Sequence, residues 1–260
     1  MTPAGGSPSA PEGGRPAVAP ILEVRKVSRF FGGVKANADV SFSVEPGIVL
    51  GLIGPNGAGK TTLFNCITGF FPPSSGEIFF EGKRIDGLSP DQVCRLGMAR
   101  TWQKVRPLAK LTVLDNAIVG ALLRTGSVKE ARVLAHEQLK IVGLDGKGKV
   151  LAGALPIGER KKLELARVLA TQPRLILLDE VMGGLNARES EDLIQLILDV
   201  KKRGLTQVVI EHDMKAIVRT CDRIVVLSSG EKLAEGSPQE IVRDPRVMTA
   251  YLGDSGGAKR

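Results

Sequence analysis

The stretch IVLGLIGPNGAGKTTLFNCI, residues 48 to 67, decides the fold. Its first residues, IVLGLIG, form a continuous run of β-branched side chains and leucine, as a strand buried on both faces requires. GPNGAGKTT follows (Gly54 to Thr62), and an apolar helical pattern comes after it. Strand, glycine-rich turn and helix in that order match G-x-x-x-x-G-K-[ST], the pattern of a phosphate-binding loop. Gly54, Gly57 and Gly59, with Asn56 and Ala58 between them, let the backbone curl so that successive N–H groups face phosphate oxygens. The positive N-terminal end of the helix adds to that attraction. Lys60 is placed to meet the β- and γ-phosphates, Thr61 offers Mg²⁺ a hydroxyl, and Thr62 follows it into the helix. The expected ligands are a nucleoside triphosphate and Mg²⁺.

About 120 residues further on, LILLDE (175 to 180) is a second buried strand that delivers two carboxylates to the edge of a sheet. Asp179 there orients Mg²⁺ and its waters, and Glu180 polarises the attacking water as a general base. QVVIE (207 to 211) and IVVLS (224 to 228) are runs of the same kind, so the core reads as a parallel sheet. ILEVRKV (21 to 27), DVSFSVEPG (39 to 47) and GEIFFEGKRI (76 to 85) alternate apolar and polar residues, as half-buried antiparallel strands do. Helix starts are legible at Ser89-Pro90 and at the pairs Ser127 with Glu130, Asn186 with Glu189, and Ser237 with Glu240. Gly143 and Gly204 stand where left-handed C-terminal caps are expected. The fold class is α/β: a mostly parallel core sheet, an N-terminal antiparallel β layer, and a helical subdomain over about 88 to 155.

Composition bounds the function. The 260 residues are ample for one core and too few for two complete ATPase modules. At 43% hydrophobic and 25% charged residues the chain is of ordinary globular type. No run reaches the roughly 18 apolar residues of a membrane span. The first twenty residues lack a basic start and an apolar core, so 1 to 20 reads as a disordered tail rather than a signal peptide, and 254 to 260 as a flexible end. Cys66, Cys94 and Cys221 are too scattered for a disulfide framework and read as buried free thiols in a reducing compartment. The net charge of +8 equals the excess in residues 83 to 164, which hold 16 Lys and Arg against 8 Asp and Glu. Such a block suits a solvated helical face, or a surface that meets phosphates, an acidic partner or anionic lipid. With 4% aromatic residues and no nucleic-acid fold motif, nucleic acid is not an expected partner. No NKxD motif is present, which argues against a guanine-specific switch.

Taken together, the loop, LILLDE and three further motifs resemble ABC transporter ATP-binding subunits, in the order that family has them, over about residues 21 to 253 as a single domain. In ARTWQKVRP, Gln103 is similar to the family's Q-loop glutamine, which implies a place at the Mg²⁺ and water site and a link to the membrane partner. LPIGERKKLELARVLA resembles the signature motif and its helix, with Pro156, Gly158 and Glu159 implied in contacts to ATP across a dimer interface. IEHDM puts His212 where the switch histidine sits, GGLN (183 to 186) resembles the loop crossing the interface, and Phe31 matches the aromatic that stacks on adenine. A lone glutamine or histidine carries little weight; their order and spacing here carry it. His136 has no assigned role. Trp102 is expected either against the partner's coupling helix or inside the helical subdomain's own core.

Within the family, FGGVKA, ARTWQ, EHDM and the ending AEGSPQEIVRDPRVMTAYLG are similar to bacterial branched-chain amino acid import subunits. The resemblance implies ATP and Mg²⁺ as cofactors, two transmembrane permease subunits, a second and different ATP-binding subunit, and indirectly a substrate-binding protein. It also implies a peripheral position on the cytoplasmic face of the inner membrane. The lipopolysaccharide export ATPase is the alternative within the family. A soluble ABC ATPase of translation or repair would bring tandem modules or a long coiled-coil insertion, which this sequence lacks. Two residues depart from the pattern: Pro156 stands where serine is usual, and Val181 where proline is usual.

Overall fold

The computed structural model describes residues 19 to 254, with side chains as far as Tyr251. The expected tail therefore lies outside the described residues apart from Ala19 and Pro20, as does the expected flexible end apart from Asp254.

Strands β1 (Leu22–Phe31) and β2 (Val34–Val44) form a hairpin through Gly32 and Gly33, with Phe31 opposite Val34. The buried strand β3 (Val49–Ile53) runs into the glycine loop and helix α1 (Lys60–Ile67). β4 (Ser75–Phe80) and β5 (Lys83–Arg84) follow. Alternation suggested one strand over 76 to 85, but Glu81 and Gly82 both take positive φ, 49° and 74°, and fold it into a second hairpin. After α2 (Pro90–Leu96) the chain re-enters the sheet as β6 (Met98–Arg100). This three-residue strand lies within the span read as helical and was too short to show a period.

Helices α3 (Val113–Ala121), α4 (Val128–Ile141) and α5 (Ile157–Leu169) pack on one another through small residues, among them Ala117, Ala121, Ala135 and Ala166. A side chain at Gly120 would strike the Arg167 carbonyl, so α3 and α5 approach backbone to backbone there. Next come β7 (Leu175–Asp179), α6 (Ala187–Lys202), β8 (Thr206–Ile210), α7 (Met214–Thr220), β9 (Arg223–Ser228), β10 (Glu231–Gly236), α8 (Pro238–Arg243) and α9 (Pro245–Asp254). The expected caps are in place: Ser127 accepts from the Glu130 N–H at 3.2 Å, and Asn186 and Glu189 cap reciprocally at 2.9 and 3.0 Å. Gly143 and Gly204 close their helices with φ of 71° and 84°.

One sheet is antiparallel, in the order β2-β1-β4-β5. The other runs β10-β9-β3-β8-β7-β6 and is parallel except for β10. Because successive strand residues point to opposite faces, the apolar runs split between two cores. Leu50, Leu52, Leu175, Leu177 and Val208 meet α1 and the antiparallel layer, whereas Ile53, Ile176, Leu178 and Val209 meet the helices of the other face. Strands β3, β7 and β8 end together, which gathers Gly54, Asp179, Glu180, Glu211 and His212 at one edge. Among the described residues no helix is long and apolar enough to cross a membrane.

Candidate nucleotide site

The loop after β3 holds a shape that only glycine allows at two points. Gly54 has φ of 151° and a side chain there would run into the Leu227 carbonyl oxygen; Gly59 has φ of 92° and would meet that of Ala36. Asn56 and Gly57 are exposed at the tip, Ala58 is buried, and Thr62 is half-buried. Lys60 is only 6% exposed, and its ammonium donates to the carbonyls of Gly54 at 2.7 Å and Pro55 at 2.9 Å. The lysine is thus held across the mouth of its own loop, pre-placed for an anion. Thr61 faces outward into a cavity of about 490 Å³ lined also by Asn65, Arg100, Gln103 and Asp179.

Asp179 is 1% exposed. Arg100 donates to its Oδ2 at 2.5 Å, while its Oδ1 is buried with no hydrogen-bond partner. An orphaned carboxylate oxygen costs free energy unless something occupies it. With the Thr61 hydroxyl and the Gln103 side chain on the same cavity, the donors are all oxygens or amide, the set that suits Mg²⁺. The residues fit the ion.

Glu180 sits in the left-handed region at φ of 48°, its N–H donating to the Ile210 carbonyl at 2.9 Å. A non-glycine residue there is strained, and here the strain turns the carboxylate out of the strand toward the site. Oε1 lies 2.6 Å from His212 Nε2, and the Gln103 amide nitrogen donates to Oε2. Gln103, His212 and Glu180 are therefore one constellation. The sequence puts Gln103 on the metal; in this structure its amide is on Glu180 while the residue still lines the cavity shared by Thr61 and Asp179.

Three buried ionisable groups behind this constellation escaped the sequence reading. Glu211 accepts the Met182 N–H at 2.7 Å, Glu164 of α5 accepts the Trp102 N–H at 2.9 Å, and Lys161 of α5 donates to the Glu180 carbonyl at 3.4 Å. The only signal was position: Glu211 precedes His212, and Lys161 and Glu164 follow the signature. Glu164 and Lys161 tie the signature helix to the segments that carry Gln103 and Glu180, and Glu211 ties the segment before His212 to the one after Glu180. Burial pushes the Glu211 carboxyl up to about 7, with neighbouring Lys161 opposing the rise and Glu180 adding to it. The folded chain then keeps a proton that the unfolded chain, near 4.3, releases. That contribution to stability is complete below about pH 4 and lost as pH rises through about 7. Glu211→Gln mimics the protonated form, so it should melt above wild type at pH 8, with the gap shrinking toward pH 5. Thermal unfolding at both pH values checks this; a gap that does not change with pH contradicts it.

The other sequence-predicted residues lie elsewhere. Pro156 is the exposed N-cap of α5, without a side-chain cap, and Glu159 pairs with Lys147 at 2.5 Å. Gly158 is buried, and a side chain there would come 2.9 Å from the Glu189 carboxyl carbon. None of residues 156 to 159 lines the cavity shared by Thr61, Gln103 and Asp179. Phe31, 44% exposed, meets Phe71 edge-on at 5.4 Å and carries the Arg29 guanidinium 4.7 Å above its ring. Trp102 is outside the helical core: it is 45% exposed and packs on Phe70 at 5.9 Å. His136 is exposed, and Cys66, Cys94 and Cys221 are free thiols, the first and last buried.

The profile of the ABC transporter family matches residues 38 to 183. The chain belongs to the ABC transporter ATP-binding family. A second profile, for the branched-chain amino acid ATP-binding cassette transporter, matches residues 231 to 256. The high-affinity branched-chain amino acid transport ATP-binding protein BraF of Pseudomonas aeruginosa is 40% identical over 91% of this chain and 99% of its own. LivG of Escherichia coli K12, named for the same transport, is 38% identical with the same coverage. Among solved structures, the ADP conformation of an ABC transporter's ATP-binding cassette superposes with a TM-score of 0.83 at 32% identity, covering 91% of this chain and all of that one. As an ABC ATP-binding subunit the chain is an ATPase, and the α/β architecture is that of its relatives.

Proposed function

We propose that this chain hydrolyses ATP on the cytoplasmic face of the plasma membrane to power an importer of branched-chain or related amino acids. The observation that carries the reading is the Glu180 carboxylate, held between Gln103 and His212 beside an Asp179 oxygen with no partner. Lys60 exchanges its loop carbonyls for the phosphates. Thr61, Asp179 and Gln103 would hold Mg²⁺, which supplies charge neutralisation at the β- and γ-oxygens when bound. Glu180 accepts a hydrogen bond from the attacking water once Gln103 turns away, and His212 fixes the carboxylate's other oxygen. Phe31 stacks on adenine with the ring face that Arg29 leaves open.

Residues 156 to 159 then serve a second subunit's nucleotide, which agrees with their absence from this chain's own cavity. In a head-to-tail pair each ATP lies between one subunit's loop and the other's signature helix, and closure moves the helical subdomain and the two permeases with it. The exposed Trp102 and Phe70 form the face for the permease. Amino acid import follows from the names of the relatives and the match at 231 to 256. Vesicles reconstituted with the neighbouring permease and ATPase subunits and the substrate-binding protein test it. Uptake of labelled leucine, isoleucine or valine that needs ATP is the expected result; outward movement of a lipid-linked glycan instead would overturn it.

Pro156 sets a further expectation. Proline lacks both the serine hydroxyl and a backbone N–H, so two donors to the partner's γ-phosphate are missing. The helix dipole remains, as does the Gly158 N–H that the sequence suggested would face the phosphate, with the Glu189 side chain packed close to the α-carbon of Gly158. A hydrogen bond to a charged group contributes roughly 1.5 to 3 kcal/mol, and about 1.4 kcal/mol is tenfold in rate. In a transporter whose own site is silenced by Glu180→Gln, Pro156→Ser should raise the residual ATPase about tenfold. Unchanged residual activity contradicts an unequal pair.

A further inference from the structure

Arg100 has no part in the reading above, yet its side chain is 5% exposed and aimed at Asp179. One guanidinium nitrogen donates to Asp179 Oδ2 at 2.5 Å; another reaches Asn65 Oδ1 at 2.6 Å and Thr68 Oγ1 at 3.5 Å. The group rests 4.6 Å from the Trp102 ring and 5.4 Å from that of Phe64. Asn65 and Thr68 follow α1's first turn, so the cation is pinned between the phosphate-loop helix and β7. Asp179 is fixed as well, its N–H donating to Thr101 Oγ1 at 3.2 Å. The carboxylate thus has one oxygen gripped and the other buried without a hydrogen-bond partner, on a residue that lines the cavity of Thr61.

A buried carboxylate without a counter-charge is strongly disfavoured, and arginine does not give up its proton to relieve the problem. The pair therefore stores, without metal, the charge balance that a divalent cation would otherwise supply. A divalent cation held by Asp179 would share that carboxylate with Arg100 in a low-dielectric site, and each positive group would weaken the other's hold.

We infer that Arg100 is a positioning residue that acts as a resident counter-cation of Asp179 and sets the Mg²⁺ concentration at which the nucleotide-loaded protein takes its metal. The inference rests on Asp179 as a metal ligand. Its effect is a standing competition: Arg100 keeps Asp179 paired and aimed before nucleotide arrives, at the cost of weaker metal binding afterwards.

The test is a Mg²⁺ titration of the full chain saturated with a fluorescent ATP analogue, read as the half-saturating Mg²⁺ concentration, with melting temperatures taken alongside. Arg100→Met and Arg100→Gln both remove the charge, and the glutamine keeps an amide donor for Asp179 or Asn65, so it decides the matter if the methionine variant does not fold. Both should shift half-saturation about tenfold lower and melt below wild type without metal. Arg100→Lys, which keeps the charge, should stay within about threefold of wild type. Half-saturation unchanged or raised in a folded neutral variant would overturn the inference, because a merely structural arginine would lower stability without tightening metal binding. Asp179→Asn separates the two layers: loss of its Mg²⁺ response supports Asp179 as the ligand, and a normal response sinks that reading and this inference with it.

Discussion

Replacing Lys60 by alanine should reduce ATPase turnover at least a hundredfold and weaken nucleotide binding about tenfold or more. The ammonium is the positive charge buried in the loop, held by the Gly54 and Pro55 carbonyls at 2.7 and 2.9 Å. Those carbonyls form a pre-set cradle, so little ordering remains to be done when the cation turns to the phosphates. A charge-assisted hydrogen bond contributes roughly 1.5 to 3 kcal/mol, and in a protected site more, because charge grows on the transferring group as the bond to the leaving oxygen breaks. Alanine loses that interaction and removes the ammonium from the Gly54 and Pro55 carbonyls, of which Pro55 still accepts from the Ala58 N–H. The effect should therefore be larger on turnover than on binding. Binding of a fluorescent ATP analogue and steady-state phosphate release measure the two separately. Wild-type turnover in the variant would remove Lys60 from the site.

Glu180→Gln should leave ATP binding within about threefold of wild type and cut hydrolysis by a factor of about 10² to 10⁴, the usual contribution of a positioned general base. Glutamine has the same shape and can still accept from the Gln103 amide and donate to His212, so the ground-state contacts of the carboxylate survive in neutral form. What is lost is a proton acceptor facing the water. With hydrolysis blocked, the closed pair cannot shed its γ-phosphate, and ATP-bound dimers should accumulate on gel filtration when the partner subunit is supplied. Normal turnover would assign the base elsewhere.

Much of this site was legible because each motif couples a backbone requirement to a chemical one. GPNGAGKTT could be read because Gly54 and Gly59 occupy positions where a side chain would strike the Leu227 or Ala36 carbonyl. LILLDE could be read because a strand buried on both faces must end somewhere, and it ends on charge. Gln103 and His212 are different in kind: neither is informative alone, and their convergence on Glu180 depends on β6, β7 and β8 lying side by side, a fact of sheet order that no local pattern carries. Arg100 was hidden for a related reason. Its strand, β6, is three residues long, and its importance arises from pairing with β7 and from contact with α1, both distant in sequence. Glu164 and Lys161 are buried charges on a helix whose pattern treats such residues as solvated, and Glu211 is a buried charge just past the end of β8. The split of 76 to 85 into two strands turned on Glu81 taking a positive φ, which its residue type does not advertise.

This chain's own Lys60, Glu180, Gln103 and His212 should hydrolyse ATP rather than merely hold it. Vanadate trapping distinguishes the two. In the reconstituted transporter, ATP labelled at the α-phosphate and carrying a photoreactive base is supplied with Mg²⁺ and vanadate, and the trapped nucleotide on this chain is identified after cross-linking. Labelled ADP should be trapped on the wild-type chain and none on Glu180→Gln, which should carry labelled ATP instead. ADP trapped to the same extent on both would contradict it.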